Sequence, residues 1–276
     1  MTNIFNYVDR KSPVHAMTGA SKLVCLLLWS FGAMSSFDPR FLFALFVLAL
    51  VLFKISKIRV ADIRFMLWFT FVFCILNNLL IFLFSPMHGT EVYGACHEIF
   101  HIAGRYTVTQ EQLLYHLNVF LKYAATIPIV LLFVTTTDPS EFASSLNRIG
   151  VNYKIAYSVA LALRYIPDIQ REYHDITLSL QARGVEMSKK ASLGARLKTA
   201  SGTLVPLILS SMDRIEVISN AMELRSFGKN KKRTWYRYRK FTAWDFGAML
   251  LGLAVLVLSI VLTAFVNHSR YYNPFV

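Results

Sequence analysis

Two uncharged apolar runs dominate the chain, Phe65–Phe84 with 20 residues and Phe246–Val266 with 21. Each meets the length of about 20 residues that a helix needs to cross about 30 Å of hydrocarbon. A third run, Tyr123–Val134, begins directly after Lys122 and carries Pro128, which a membrane helix packed among others tolerates. Two shorter runs, Leu23–Met34 and Phe41–Ile55, depend on flanking small residues for length and read as a tight helical hairpin. The pattern therefore predicts an all-α polytopic membrane protein with about five transmembrane helices. Residues 1–137 form a membrane region of four of them, and 244–276 supply the last. Between the third and fourth spans lies an expected outer loop, Ser85–Asn118, in which Thr109-Gln110-Glu111-Gln112 reads as the start of a short helix leading into the fourth span.

The stretch 138–243 changes character. Asp138-Pro139-Ser140-Glu141 is a helix-start signature, an acid at the N-cap, proline at the first helical position and glutamate at the third. The short helix it opens places Phe142, Leu146 and Ile149 on one face and ends near Gly150. Being amphipathic and too short to span, it is expected at the membrane surface. Two long helical segments follow, from about Asn152 to Arg183 and from about Leu193 to Arg225. Each is apolar in part, through Ile155–Leu163 and at Leu204–Leu209, and charged toward its end. Neither apolar part can cross a bilayer alone. Each reads as a cytoplasmic helix with its first half against membrane or bundle and its second half projecting into water. Their ends look alike: Leu180-Gln181-Ala182-Arg183-Gly184-Val185 and Met222-Glu223-Leu224-Arg225-Ser226-Phe227 share an apolar, polar, apolar, Arg, small, apolar order, each after a proline, Pro167 or Pro206.

Composition removes the soluble alternative. Apolar residues make up 55% of the chain and charged ones 16%, with 22 phenylalanines, whereas a water-facing surface has to be largely polar. Charge then orients the spans. With both ends of the first hairpin inside, and 54–64 and 138–243 inside, 25 of the 29 basic residues fall on the inner side. Only Arg40, Arg105, Lys122 and Arg270 lie outside or at an outer edge, and the whole net charge of +13 sits on the inner side. Lysine and arginine concentrate on the cytoplasmic side of membrane proteins, so the N-terminus is expected in the cytoplasm and the C-terminus outside. Seven basic residues between Lys229 and Lys240, interleaved with Trp235, Tyr236 and Tyr238, precede the last span. Such a cluster can bind nucleic acid, but beside a membrane it fits anionic lipid headgroups, with about 1 kcal/mol for each basic residue. No nucleic-acid partner is expected.

Little in the chain points to catalysis. The phosphate-cradling motif needs Gly-Lys followed by Ser or Thr; Gly228-Lys229 is followed by Asn230. Neither a nucleophile elbow nor a zinc-protease motif occurs, so no enzyme activity, cofactor or metal is expected. Cys25 and Cys74 lie in apolar runs and Cys96 in the outer loop, which is no disulfide framework. Cys96, His97, Glu98 and His101 could form a metal cluster, since His97 and His101 would share a helix face; the plain reading is a polar loop. Asn77-Asn78 inside the third span reads as hydrogen-bonding glue between helices. Arg183 before Gly184 reads plainly as a helix end, with a cation on the dipole and a left-handed cap. The sharper reading is that Arg183 and Arg225 each present a guanidinium fork to a partner with two equivalent sockets.

At this point the residues resemble a known family, the T component (EcfT/CbiQ family) of energy-coupling factor transporters of the ABC type. The likeness runs through Ser12-Pro13 with His15, Ser21-Lys22-Leu23, Thr136-Thr137-Asp138-Pro139 and Leu163-Arg164-Tyr165-Ile166-Pro167. It ends in the two Arg-centred triplets, Ala182-Arg183-Gly184 and Leu224-Arg225-Ser226. The resemblance implies a multi-pass protein of the bacterial inner membrane that imports a vitamin or transition metal as part of a complex. It implies that the two triplets dock into two ABC-type ATPase subunits, and that a membrane S component, not this chain, binds the substrate. The second triplet departs from Ala-Arg-Gly at both flanks. The competing readings are a self-contained secondary carrier or channel, which should place charges inside its spans, and a polytopic membrane enzyme, which should cluster acids, histidines or nucleophiles at one face.

Overall fold

The computed structural model describes residues 12–103, 106–185, 193–230, 234–235, 239–267 and 269–275. The chain divides into two compact units, one built on Phe142–Tyr238 and the other on Ile4–Glu141 together with Arg239–Val276. The second is the membrane unit. Its elements are α1 (Pro13–Ala16), α2 (Gly19–Ser35), α3 (Pro39–Ile55), α4 (Val60–Phe84), α5 (His88–Tyr93), β1 (Glu98–Ala103), β2 (Tyr106–Thr109) and α6 (Gln110–Thr136). After the other unit comes α10 (Ala243–Val261), which runs into a π-helical turn at Leu262–Val266. Among the described residues, three helices are long and apolar enough to cross a membrane: Ile63–Phe84, Gln110–Thr136 and Ala243–Val266. The protein is an all-α polytopic membrane protein. The two helices of the expected hairpin, α2 and α3, have 17 residues each, the lower end of the crossing length.

The fourth helix is longer than its apolar run. It starts at Gln110, so the short helix expected to lead into it from Thr109 is its first turn, capped by the Thr109 hydroxyl, which accepts from the Gln112 N–H at 3.2 Å. It also takes in Lys122, which the charge-free run excludes. The protein supplies what lipid cannot: Lys122 Nζ donates to the Met34 carbonyl at 2.9 Å and lies 3.1 Å from the centre of the Phe37 ring. A satisfied cation of this kind is compatible with membrane depth.

The core of the unit is where α2, α3, α6 and α10 meet around Trp29, Leu42, Ala125 and Val255. The Trp29 indole N–H donates to the Ala125 carbonyl at 3.1 Å, tying α2 to α6. Packing of α2 on α10 uses small residues: a Cβ on Gly252 would lie 3.1 Å from the Cys25 Cα. Ser259 donates to the Gly32 carbonyl at 2.8 Å in the same seam. In lipid, where burial of apolar surface drives nothing, such close backbone approach and side-chain hydrogen bonds hold helices together. Of the expected Asn77-Asn78 glue only Asn78 acts as such, since Asn77 Oδ1 is buried with no hydrogen-bond partner among the described residues. The Asn78 amide N–H donates to the Cys74 carbonyl at 2.9 Å, and its Oδ1 lies 3.0 Å from His116 Nδ1 on α6.

The described residues of the expected outer loop form α5, β1 and β2. Gly89 on α5 donates its N–H to Gln112 Oε1 at 2.6 Å, and any Cβ there would fall 2.5 Å from the Gln112 Cα. Tyr93 is buried, which pushes its phenol up to about 12. The shared helix face for His97 and His101 is not formed. His101 lies in β1 opposite Thr107, with its Nδ1 2.8 Å from the Thr107 hydroxyl. His97 instead turns to the buried Glu111, Nδ1 to Oε1 at 2.6 Å. The β-branched and aromatic residues on either side of Gly104-Arg105 favour an antiparallel hairpin over a helix. No group of three potential metal ligands occurs among the described residues.

The helices run from end to end of the unit. Contacts of Thr18 with Asp245 and of Lys22 with Thr136 gather the starts of α2 and α10 and the end of α6 at one end. Phe37, Lys122, Tyr93, Tyr271 and Asn273 meet at the other.

Candidate functional site at two capped helix tips

The other unit carries the Arg-centred triplets. Its elements are α7 (Pro139–Arg148, which begins in the membrane unit), α8 (Tyr153–Ala182) and α9 (Leu193–Leu224). The start and stop signals of α7 act as their chemistry dictates. Asp138 accepts from the Ser140 N–H at 2.8 Å, and the chain leaves the helix through Gly150 at φ +106°. Asn152 caps α8 by accepting from the Lys154 N–H at 3.0 Å.

Helices α8 and α9 lie antiparallel. Arg214 Nη2 on α9 donates to Glu172 Oε2 on α8 at 2.7 Å, and the Ser210 hydroxyl bonds the same carboxylate. At the other end of the pair the Phe227 ring, just past α9, sits 4.8 Å from Tyr157 and 5.7 Å from Tyr153 at the start of α8. Between the helices runs a groove of about 680 Å³ lined by Tyr165, Ile169, Arg214, Ile218 and Met222, among others.

Both triplets occupy the same positions of the same cap. At the end of α8 the Val185 N–H donates to the Leu180 carbonyl at 3.1 Å and the Gly184 N–H to Gln181 at 3.0 Å. At the end of α9 the Phe227 N–H donates to Met222 at 2.9 Å and the Ser226 N–H to Glu223 at 2.8 Å. This 6→1 and 5→2 pairing is the Schellman motif, whose last-but-one residue is left-handed. Gly184 has φ +79° and Ser226 φ +53°. The likeness in sequence is thus a likeness in geometry: Ala182 and Leu224 end their helices, Arg183 and Arg225 sit at the cap, and Gly184 and Ser226 make the turn. All six are exposed, Leu224 to 87%. Each arginine stands where the negative end of a helix dipole meets water, a place that suits a cation.

The structure does not bring the two tips together. Because α8 and α9 are antiparallel and Phe227 lies level with Tyr157, the 26 residues from Tyr157 to Arg183 separate the tips by about 40 Å along α8 at 1.5 Å per residue. The aromatic-basic stretch is described only in part, since 231–233 and 236–238 lie outside the described residues. Trp235 is half-buried and donates its indole N–H to Asn147 Oδ1 at 3.1 Å.

Sequence reasoning missed one cluster altogether, in the membrane unit. Asp245 accepts five hydrogen bonds, from the N–H and hydroxyl groups of Thr18 and Thr242 and from the Ser21 hydroxyl. Glu141 accepts from the Gly19 N–H at 2.9 Å. A signal was present, since Thr242 followed three residues later by Asp245 at the head of an apolar run is a capping-box pattern.

Comparison with known proteins adds to this geometry. Residues 10–236 match the family model CbiQ, described as a cobalt transport protein. Over 275 residues the chain is 25% identical to the energy-coupling factor transporter transmembrane protein EcfT of Staphylococcus aureus, covering 94% of this chain and 96% of that protein. It is 27% identical over 280 residues to the protein of the same name from Leuconostoc gelidum, covering 93% of this chain and 96% of that one. It is also 29% identical over 144 residues to a putative ABC transporter ATP-binding protein of Bifidobacterium longum, covering 49% of this chain and 18% of that protein.

Proposed function

This chain belongs to the CbiQ family of transport proteins, and from that premise we propose that it is the coupling subunit of an ATP-driven importer, holding two ATPase subunits at Arg183 and Arg225. The observation that carries the reading is the pair of identical Schellman caps, each presenting an exposed arginine, at opposite ends of one antiparallel helix pair. One rod with an arginine at each end fits two sockets on two ATPases better than one socket on a single partner. The relative from Bifidobacterium longum, named for ATP binding, supports the pairing with an ATPase.

The division of labour follows. Residues 138–243 are the coupling segment, and 1–137 with 244–276 form five spans, N-terminus in the cytoplasm and C-terminus outside. Closure of the ATPases on ATP shifts the sockets, and the helix pair carries that shift to the membrane bundle. Exposed apolar residues on α9, Leu204, Val205, Ile208 and Leu209, offer surface to a membrane S component that binds the substrate, a vitamin or a transition metal. The basic residues of Lys229–Lys240 hold anionic lipid. The chain itself performs no catalysis.

The test is charge reversal. Arg183→Glu and Arg225→Glu each place a carboxylate where the socket expects a guanidinium. Breaking a buried Arg pair costs about 3–5 kcal/mol, so each variant should lose most of its co-purifying ATPase and most uptake. Full co-purification and full uptake in both variants would remove the docking role.

A further inference from the structure

The chain passes between its two units at two links, one inside α7 between Glu141 and Phe142 and the other just before Arg239. On the membrane side of both links lies the polar cluster that sequence reasoning missed, buried although it sits at the end of an apolar bundle. Asp245, Ser21, Thr18, Lys22 and Glu141 are all buried. Asp245 divides its two oxygens between two helices. Oδ1 takes the Thr18 N–H at 2.6 Å, the Thr18 hydroxyl at 2.9 Å and the Ser21 hydroxyl at 2.5 Å, all at the start of α2. Oδ2 takes the Thr242 N–H at 2.6 Å and its hydroxyl at 2.7 Å, at the start of α10.

The first link is tied to the same place. Glu141, in the first turn of α7, reaches the Gly19 N–H at the start of α2. The second link is held by Arg239, whose Nη1 donates to the His15 carbonyl at 3.3 Å. Lys22 completes the cluster by donating from Nζ to the Thr136 carbonyl at 2.9 Å, at the last residue of α6. Each charge faces the helix end that attracts it, carboxylates at the N-termini of α2 and α10 and a cation at the C-terminus of α6.

We propose that Asp245 and Glu141 are positioning residues for coupling: they lock both links to the start of α2, so that a displacement of α8 and α9 moves the membrane helices instead of flexing the links. This rests on the ATPase-docking reading above. A lever transmits only if its root is stiff. The carboxylates close this root where a flexible link would otherwise let the motion dissipate. Helix capping for stability alone would use the same bonds, so the two roles separate by what nucleotide does to them.

The experiment is hydrogen exchange on the full complex with its ATPases in lipid nanodiscs, with and without ATP plus vanadate. In the unaltered complex, nucleotide should change exchange of residues 18–22 about threefold, together with a change in α9. In Asp245→Asn and in Glu141→Gln the ATPases should still bind and the α9 response persist, while the response of 18–22 is lost. A purely structural cap would raise exchange at 18–22 equally in both nucleotide states and leave the nucleotide-driven difference intact. That result, or residues 18–22 insensitive to nucleotide in the unaltered complex, overturns the proposal. If Asp245→Asn does not assemble, Ser21→Ala, which removes one bond to Asp245, serves in its place with the same outcomes. Failure of the unaltered chain to bind ATPase would take down the docking reading and this one together; binding without a response at 18–22 takes down this one alone.

Discussion

At the scale of single residues, the two tips differ in a way that predicts opposite outcomes. Gly184 and Ser226 both hold left-handed backbone, at φ +79° and +53°, but only glycine does so without steric cost. Ser226→Gly should therefore tighten the second cap, and Gly184→Ala should loosen the first, each by about 1 kcal/mol. Exchange rates of the last-turn amides of α9 and α8 measure both, and a shift of the same sign in the two variants would show that cap strain does not set tip order. Leu224 is the other residue-scale difference. An apolar side chain 87% exposed at a helix end stands where Ala182 stands at the first tip. Leu224→Ala should weaken binding at the second tip and leave the first unchanged, which titration of ATPase against each single-tip variant reads directly.

At the scale of elements, what the residues declared and what they hid divide along physical lines. Helices with strong start and stop chemistry were legible: α7 from Asp138-Pro139 to Gly150, α8 from Asn152 to Arg183, and α9 to Arg225 stand within a residue or two of expectation. Local signals fix such ends, because caps are made by neighbours in sequence. Contacts between distant segments were not legible. The length of α6 was underestimated because Lys122 interrupts its apolar run, and what satisfies Lys122, the Met34 carbonyl and the Phe37 ring, comes from more than 80 residues away in the chain. The hairpin of β1 and β2 was hidden by reading the segment as a polar loop instead of weighing the β-branched residues around His97 and His101. The tip residues of the candidate site were legible, but the antiparallel setting that puts the tips at opposite ends was not. It depends on Glu172, Arg214 and Phe227, which no local pattern pairs. The seam of α2 and α10 gives the prediction at this scale. With the Gly252 Cβ position 3.1 Å from the Cys25 Cα, Gly252→Val forces the helices apart and should cost about 1–3 kcal/mol as overpacking does. Thermal unfolding in detergent checks it, and an unchanged midpoint would mean that the seam yields freely.

At the scale of the whole molecule, the chain joins a bundle that belongs in lipid to an antiparallel helix pair with two exposed tips. The bundle spends its polar groups at its ends, on Asp245, Glu141 and Lys22 at one and on Lys122, Glu111 and Gln112 at the other. The helix pair carries one arginine at each tip, Arg183 and Arg225. The reading as a coupling subunit needs both tips to touch another protein. The most direct test is photo-crosslinking from residue positions 183 and 225 in the assembled membrane complex. The expected result is capture of ATPase subunits from both positions, with one ATPase on each tip. Adducts confined to this same chain, or capture from neither position in a complex that hydrolyses ATP, would contradict it.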